Sequence, residues 1–288
     1  MSFSSGLRTT GNFFLWGVIP LLIGWLLALQ IAPQPAVGLI RLNTDIWAGS
    51  TELIMAEIKE AREDPGIKAV VVQLDSPGGE VVASQVLYLE LQKLRREMPV
   101  VGSIDNMAAS GAYYAAMGVD PLYAKPSSTV GNIGVWSFAP PEIGVNDVVI
   151  ASGPFKLTAS NRDEFLREIE GIKQEFLATV TSQRGERLKI SPADLSQGLA
   201  YPGREALQLG LIDYLGTQSE AVATAAAQAG IANYEVVDLE ARVLAAQYGQ
   251  STSPQLESWR GAADPITGQR NLSPGPYLLY DTHFGGRP

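Results

Sequence analysis

Two stretches of this chain carry groups that could do covalent chemistry, and neither contains histidine or cysteine. In residues 106–114 (NMAASGAYY), Ser110 is flanked by small residues just behind an apolar run, where a strand would give way to a helix. Small neighbours leave room for a peptide carbonyl, and the free N–H groups of a first helical turn favour an alkoxide and a tetrahedral anion. In residues 75–79 (DSPGG), two glycines close a run rich in β-branched residues. Paired glycines let backbone N–H groups approach a substrate closely, at the strand ends where open parallel sheets bind ligands. Both stretches also have plain structural readings: Pro-Gly-Gly as an ordinary turn, and 106–114 as a small-residue helix with Ser110 as filler.

A serine nucleophile needs a base. The 288 residues contain no Cys and one His, His283, so a thiol nucleophile, a zinc–thiolate site and a disulfide framework are excluded, a His-based triad or multi-His metal site has almost nothing to build on, and His283 reads as a solvated residue. Lysine remains. It must lose about 3 units of pKa, near 4 kcal/mol, to be neutral at working pH, and burial in an apolar site can supply that. Lys156 in 152–157 (SGPFKL) is the best candidate, with apolar neighbours behind an expected strand. Lys125 is a weaker contender, Lys59, Lys93, Lys173 and Lys189 fall in polar stretches, and Lys68 opens a strand. A solvated loop lysine is the alternative reading of Lys156.

The elements that must position these groups are legible as alternating apolar runs and helical patterns. Strands are expected at 37–42, 67–74 and 100–104, and helices at 50–62, 81–97 and 107–117. Short strands follow at 122–125, 133–138 and 145–151, then helices at 162–184, 203–210 and 218–229. Ser191 and Asp194 offer a capping box for a helix starting near Pro192. Strand–helix–strand alternation predicts an α/β domain with a parallel sheet.

Residues 13–32 carry no charge, and 20 residues of helix span about 30 Å, one bilayer crossing. No Ala-x-Ala cleavage signal follows, so the segment reads as a retained anchor. Arg8 precedes it and the next basic residue is Arg41, which places the bulk of the chain outside the cytoplasm. The expected organisation is therefore a cytoplasmic start at 1–12, the anchor at 13–32, a linker at 33–36, a catalytic domain at 37–250 and a Pro/Gly-rich tail at 251–288, extended or partly disordered. A net charge of -9 without a basic cluster disfavours nucleic-acid binding.

Taken in order, 74–79 (LDSPGG), 108–114 (AASGAYY), 130–135 (VGNIGV), 152–156 (SGPFK) and 206–216 (ALQLGLIDYLG) resemble the signal peptide peptidase A (SppA) family, Ser-Lys serine proteases of the ClpP/crotonase superfold, over about residues 37–240. The resemblance implies a repeated β-β-α superhelix in the short single-repeat form, Ser110 as nucleophile and Lys156 as base. It also implies that Gly78, Gly79 and Gly111 lie around the oxyanion, and that neither cofactor nor metal is used. Implied substrates are hydrophobic peptides such as signal-peptide remnants, cleaved at the cell membrane. The implied assembly is a homo-oligomer in which the dyad is completed across an interface. Two residues depart from the family pattern, Ala112 where a second glycine is usual and Asn132 where serine is usual. Rival readings are a Ser-Lys protease of stomatin-type membrane scaffold proteins, a non-catalytic crotonase-fold membrane scaffold, and an acyl-CoA enzyme of the same superfold.

Overall fold

The computed structural model describes residues 14–22, 34–139, 152–248 and 277–279. The chain divides into two units, Met1–Pro35 and Ala36–Pro288. In the first, Phe14–Val18 forms a π-helical turn. The expected anchor at 13–32 lies largely outside the described residues, and among those described no helix is long and apolar enough to cross a membrane.

The second unit is built around the β-branched run at Ile67–Ser76, strand β2, which is buried on both faces as central parallel strands are. It pairs in parallel with β1 (Ala36–Leu42), Val37 opposite Ala69 through Leu42 opposite Leu74, and with β4 (Val100–Ala109), Val70 opposite Val100. Between these strands lie β3 (Gly78–Glu80) and the helices α1 (Ala48–Glu63) and α2 (Val81–Glu97).

Ten-residue β4 holds two partners along one edge, β5 (Leu122–Ala124) beside its first half and β6 (Thr129–Gly131) beside its end. The sheet is completed by β7 (Ala200–Pro202) antiparallel to β6, β8 (Tyr214–Leu215) beside β5 and β9 (Glu235–Asp238) beside β1. A separate two-stranded ribbon joins β3 to β10 (Tyr277–Leu279).

Period-2 alternation sorts the strand residues onto two cores. On one face Ile40, Leu42, Val70, Val72, Leu74 and Ile104 meet Ile54 and Ile58 of α1 and Leu87, Leu91 and Leu94 of α2. On the other, Val37, Leu39, Ala69, Val71 and Val101 meet Ala221, Val222, Ala225 and Ala226, the apolar stripe of a helix at Gln218–Gln228. Its small residues let that helix lie close on the sheet.

The long helix Arg162–Arg184 starts at a capping box in which Asn161 accepts from the Glu164 N–H and Glu164 accepts from the Asn161 N–H. Only its second half, from Phe176, is buried. Its end is locked by Arg184, which donates to Asp213 at 3.0 and 2.8 Å and to the Gly210 carbonyl at 2.7 Å. Burial opposes ionisation of Asp213, but the hydrogen bonds and charge of Arg184 outweigh it and hold the carboxyl below its usual range. Ser191 caps the short helix Pro192–Leu195, as its spacing implies.

Several expectations need correction. Residues 107–109 belong to β4, not to a helix: Met107, Ala108 and Ala109 pair with Thr129, Val130 and Gly131, and ladder pairing overrides the helix preference of a small-residue run. The helix that follows is only Gly111–Ala116. No strand covers 133–138, because positive φ at Gly131 (101°) and Asn132 (53°) turns the chain away after β6. Pairing has placed Gly78–Glu80 in a strand rather than a turn, and Leu239–Tyr248 adds a helix the periodicity did not reveal. The strand expected at 145–151 lies outside the described residues.

Candidate active site

Ser110 is the corner between β4 and the helix Gly111–Ala116, here α3, and its backbone has φ 52° and ψ -123°. That region is glycine's rather than serine's, so the corner is strained, by about 1–3 kcal/mol. Its neighbours impose it. The Ser110 N–H donates to the Gly131 carbonyl at 2.8 Å, and the Ser110 carbonyl accepts from the Tyr114 N–H at 3.0 Å.

Helix α3 is fixed by two tyrosines. The fully buried Tyr113 hydroxyl donates to the Leu211 carbonyl at 2.7 Å, and burial pushes its pKa well above the usual phenol range. Tyr114 packs between Tyr88 and Phe176 and bonds through its hydroxyl to Glu175 and Thr179 of the long helix; burial raises its pKa as well. Ala112 is completely buried within this packing.

The Gly-Gly strand lies next to that corner, because β2 and β4 are paired as far as Ser76 opposite Ala108 and β3 packs against α3. Gly78 has φ 100°, and its N–H donates to the buried Ser76 hydroxyl at 3.2 Å. Ile46 binds one edge of β3: its N–H donates to the Gly78 carbonyl and its carbonyl accepts from the Glu80 N–H, both at 2.8 Å. A Cβ on Gly79 would stand 1.8 Å from the Ile46 carbonyl, so only glycine fits there. Groups alternate along a strand, so the Gly79 N–H and C=O face away from Ile46.

Of the residues singled out from the sequence, Ser110, Gly111, Gly78 and Gly79 are thus brought together. Lys156 makes no hydrogen bond with them among the described residues. It is exposed within a run of turns at 152–160, its N–H donating to the Gly153 carbonyl at 3.2 Å, and it forms no ion pair among the described residues. Lys125 is directed elsewhere, to Asp105 at 2.8 Å. The sequence reading included Ser76 in the stretch 75–79 without giving it a role, and it missed Ile46. The serine could have been suspected from its place two residues before Gly78, but Ile46 acts only through its backbone and leaves no signal. The Asn132 departure has a structural cause: asparagine tolerates positive φ, and it braces the turn by bonding to Gly198 and Leu199. Among the described residues no cluster of His, Asp and Glu could hold a metal ion.

Comparison with known proteins bears directly on this corner. The profile of peptidase family S49 matches residues 92–232, which include Ser110. A Synechocystis sp. protein named as a candidate protease, slr0021, is 34% identical over 219 residues, covering 70% of this chain and 77% of that one. The chain belongs to peptidase family S49. A candidate signal peptide peptidase SppA of Enterococcus faecium is 26% identical over 221 residues, and there the match spans 62% of the relative's length. Among solved structures, a point mutant of the 1510-N membrane-bound stomatin-specific protease superposes with TM-score 0.50 at 18% identity, over 71% of this chain and 97% of that one, which places the S49 domain in the same α/β fold. Family membership makes the chain a protease, and the SppA resemblance read from its motifs stands.

Proposed function

We propose that this protein is a membrane-anchored serine endopeptidase in which Ser110 attacks a peptide carbonyl and a neutral Lys156 takes its proton. The observation that carries the reading is the strained, buried Ser110 corner beside the Gly78–Glu80 strand. An extended peptide pairs with the edge of β3 that faces away from Ile46, taking the place of β10 there, its scissile carbonyl oxygen receives the N–H groups of Gly79 and Gly111, and an acyl-enzyme forms that water releases. Ser76, by accepting from Gly78, leaves Gly79 as the donor on that strand.

Exposure of Lys156 on the single chain is what a dyad completed between copies requires, since the partner then supplies the burial that neutralises it. The working form is accordingly a homo-oligomer, anchored through residues 13–32 with its catalytic domain outside the cytoplasm. Its substrates are hydrophobic peptides of the signal-peptide type, cut without metal or cofactor. The test is cleavage of a hydrophobic fluorogenic peptide by the full chain and by its Ser110→Ala and Lys156→Ala variants, with assembly state recorded. Loss in both variants within intact assemblies supports the dyad; normal cleavage by Lys156→Ala removes Lys156 from it, and normal cleavage by Ser110→Ala rejects the whole reading.

A further inference from the structure

The serine corner stands at one end of ten-residue β4, and at about 3.3 Å per residue the other end is about 30 Å away. At that far end Arg95 and Arg96 of α2, with Met98, Pro99, Asp120 and Gln228, line an open cleft of about 450 Å³. The carboxylates of the cleft are already committed: Asp120 pairs with Arg187 at 2.8 Å, and Glu97 with Arg62 at 3.0 Å. The two arginines meet only neutral amides. Arg95 donates to Gln183 Oε1 at 3.4 Å and Arg96 to Gln92 Oε1 at 3.1 Å, and neither forms an ion pair among the described residues. The carbonyl end of α2 favours cations in its last turn, but a helix terminus carries only about half a charge against the two of these guanidinium groups. In a chain of net charge -9, this cleft is thus a local excess of positive charge with donors to spare.

The chain enters the sheet at this same end. Ala36 opens β1 opposite Ile67, its N–H donating to the Gly66 carbonyl at 2.8 Å, and β4 opens at Val100 opposite Val70, whose N–H donates to the Pro99 carbonyl of the cleft wall at 2.9 Å. Only residues 33–36 separate β1 from the end of the proposed anchor at 13–32, and extended chain covers at most about 3.6 Å per residue, about 15 Å in all. A headgroup layer is within that reach. We infer that the Arg95–Arg96 cleft binds the phosphate of an anionic lipid headgroup and docks this end of the sheet on the bilayer. Guanidinium groups present planar forks of donors that match phosphate oxygens, and two of them face one phosphodiester without displacing an existing ion pair. The inference takes the source of the phosphate from the anchor proposed above and is independent of the peptidase chemistry. Its consequence is that the Ser110 corner, at the opposite strand ends, is held clear of the lipid, so that a hydrophobic peptide meets it as an extended segment drawn out of the bilayer.

The experiment uses the full chain in an uncharged detergent, titrated calorimetrically with short-chain phosphatidylglycerol, with phosphatidylcholine of the same chain length and with inorganic phosphate. Phosphatidylglycerol is expected to bind saturably, one per chain. At about fivefold for each basic residue, the paired substitution Arg95→Gln and Arg96→Gln should weaken that binding on the order of thirtyfold. Arg95→Lys with Arg96→Lys, which keeps both charges, should retain most of the affinity, and a wild-type melting temperature shows that each variant is folded. Arg204→Gln removes an exposed arginine beyond the opposite end of β5 and should leave binding unchanged. Equal binding of phosphatidylcholine, wild-type affinity in the paired Gln variant, or an equal loss in Arg204→Gln overturns the inference. Inorganic phosphate binding as tightly as the lipid assigns the cleft to free phosphate and overturns the lipid as its occupant. The anchor is read separately: release of the chain from vesicles by alkaline carbonate rejects the anchor alone, since binding in detergent does not depend on it.

Discussion

The Ser110 N–H and the Gly131 carbonyl, 2.8 Å apart, tie the serine corner to the end of β6. The bond continues the ladder in which Ala109 faces Gly131, and it holds a non-glycine residue at φ 52°. Strain here is over-determined by pairing on one side and by Tyr113 and Tyr114 on the other.

Ser110→Ala is expected to lower kcat/KM at least about a thousandfold while leaving stability nearly unchanged, since both side chains carry a Cβ into the same backbone region. Ser110→Gly should be equally inactive yet more stable than Ser110→Ala by about 1–2 kcal/mol, because glycine relieves the positive φ. Urea denaturation alongside peptide hydrolysis checks both; equal stability of the Ala and Gly forms would mean that the corner is not strained.

Gly79→Ala brings a methyl against the Ile46 carbonyl. Overpacking of this kind costs about 1–3 kcal/mol, and displacement of one oxyanion donor lowers kcat about 10²- to 10³-fold. Gly171, in the long helix with open space about its Cβ position, is the control: Gly171→Ala should stabilise by about 0.5–1 kcal/mol with activity intact. Thermal melts and steady-state kinetics on both variants separate the two glycines.

Glu57 is fully buried in α1, accepts from the Arg41 N–H at 3.1 Å, and leaves its second oxygen without a partner. Burial, reinforced by Glu240 and Asp238 and opposed by Arg41, raises its pKa from 4.5 to about 8. The folded state thus favours the protonated form: this contribution is complete below pH 4.5 and is lost as pH rises through about 8. Glu57→Gln, which keeps an acceptor for Arg41 and has no charge to bury, should be the more stable form at pH 9, by on the order of a few kcal/mol, with the advantage shrinking towards pH 5. Denaturation at the two pH values tests this, and a pH-independent difference would contradict it.

Arg184→Met takes the buried two-bond partner from Asp213, leaving it only the half-exposed Arg187 at 2.9 Å and the Leu122 N–H, and is expected to cost up to about 3–5 kcal/mol. Adding Asp213→Asn, which keeps an acceptor for the Leu122 N–H, should recover part of that loss. A double-mutant cycle by urea denaturation reads the coupling; additive losses would show that the two groups do not depend on each other.

If the dyad is completed between copies, Ser110→Ala and Lys156→Ala chains, each inactive alone, should regain activity when co-assembled, because some interfaces then pair an intact serine with an intact lysine. Mixing before and after assembly, with hydrolysis as the readout, gives the answer. No recovery would place both groups within one chain.

The buried parallel strands, the amphipathic helices and their caps follow from the residue order alone, because β-branched runs, helical periodicity and Ser-x-x-Asp or Asn-x-x-Glu spacing are local signals. Ile67–Ser76, Val81–Glu97, Arg162–Arg184 and the Ser191 cap were all legible in that way. Local types and spacing also marked Ser110 and the glycine pair, which resemble a family to which the chain does belong. Conformations set by distant partners needed the folded chain. Pairing with β6 drew 107–109 out of a helix and forced Ser110 into positive φ, and Ile46 on one edge and Tyr277–Leu279 on the other made Gly78–Glu80 a strand. The pairing of Tyr277–Leu279 with that edge spans almost two hundred residues of sequence, and three apolar residues in a Pro/Gly-rich stretch carry no local period that could announce it. Hydrogen-bond ladders join backbone groups irrespective of side chain, so their partners are chosen by the fold rather than written in the residues that pair.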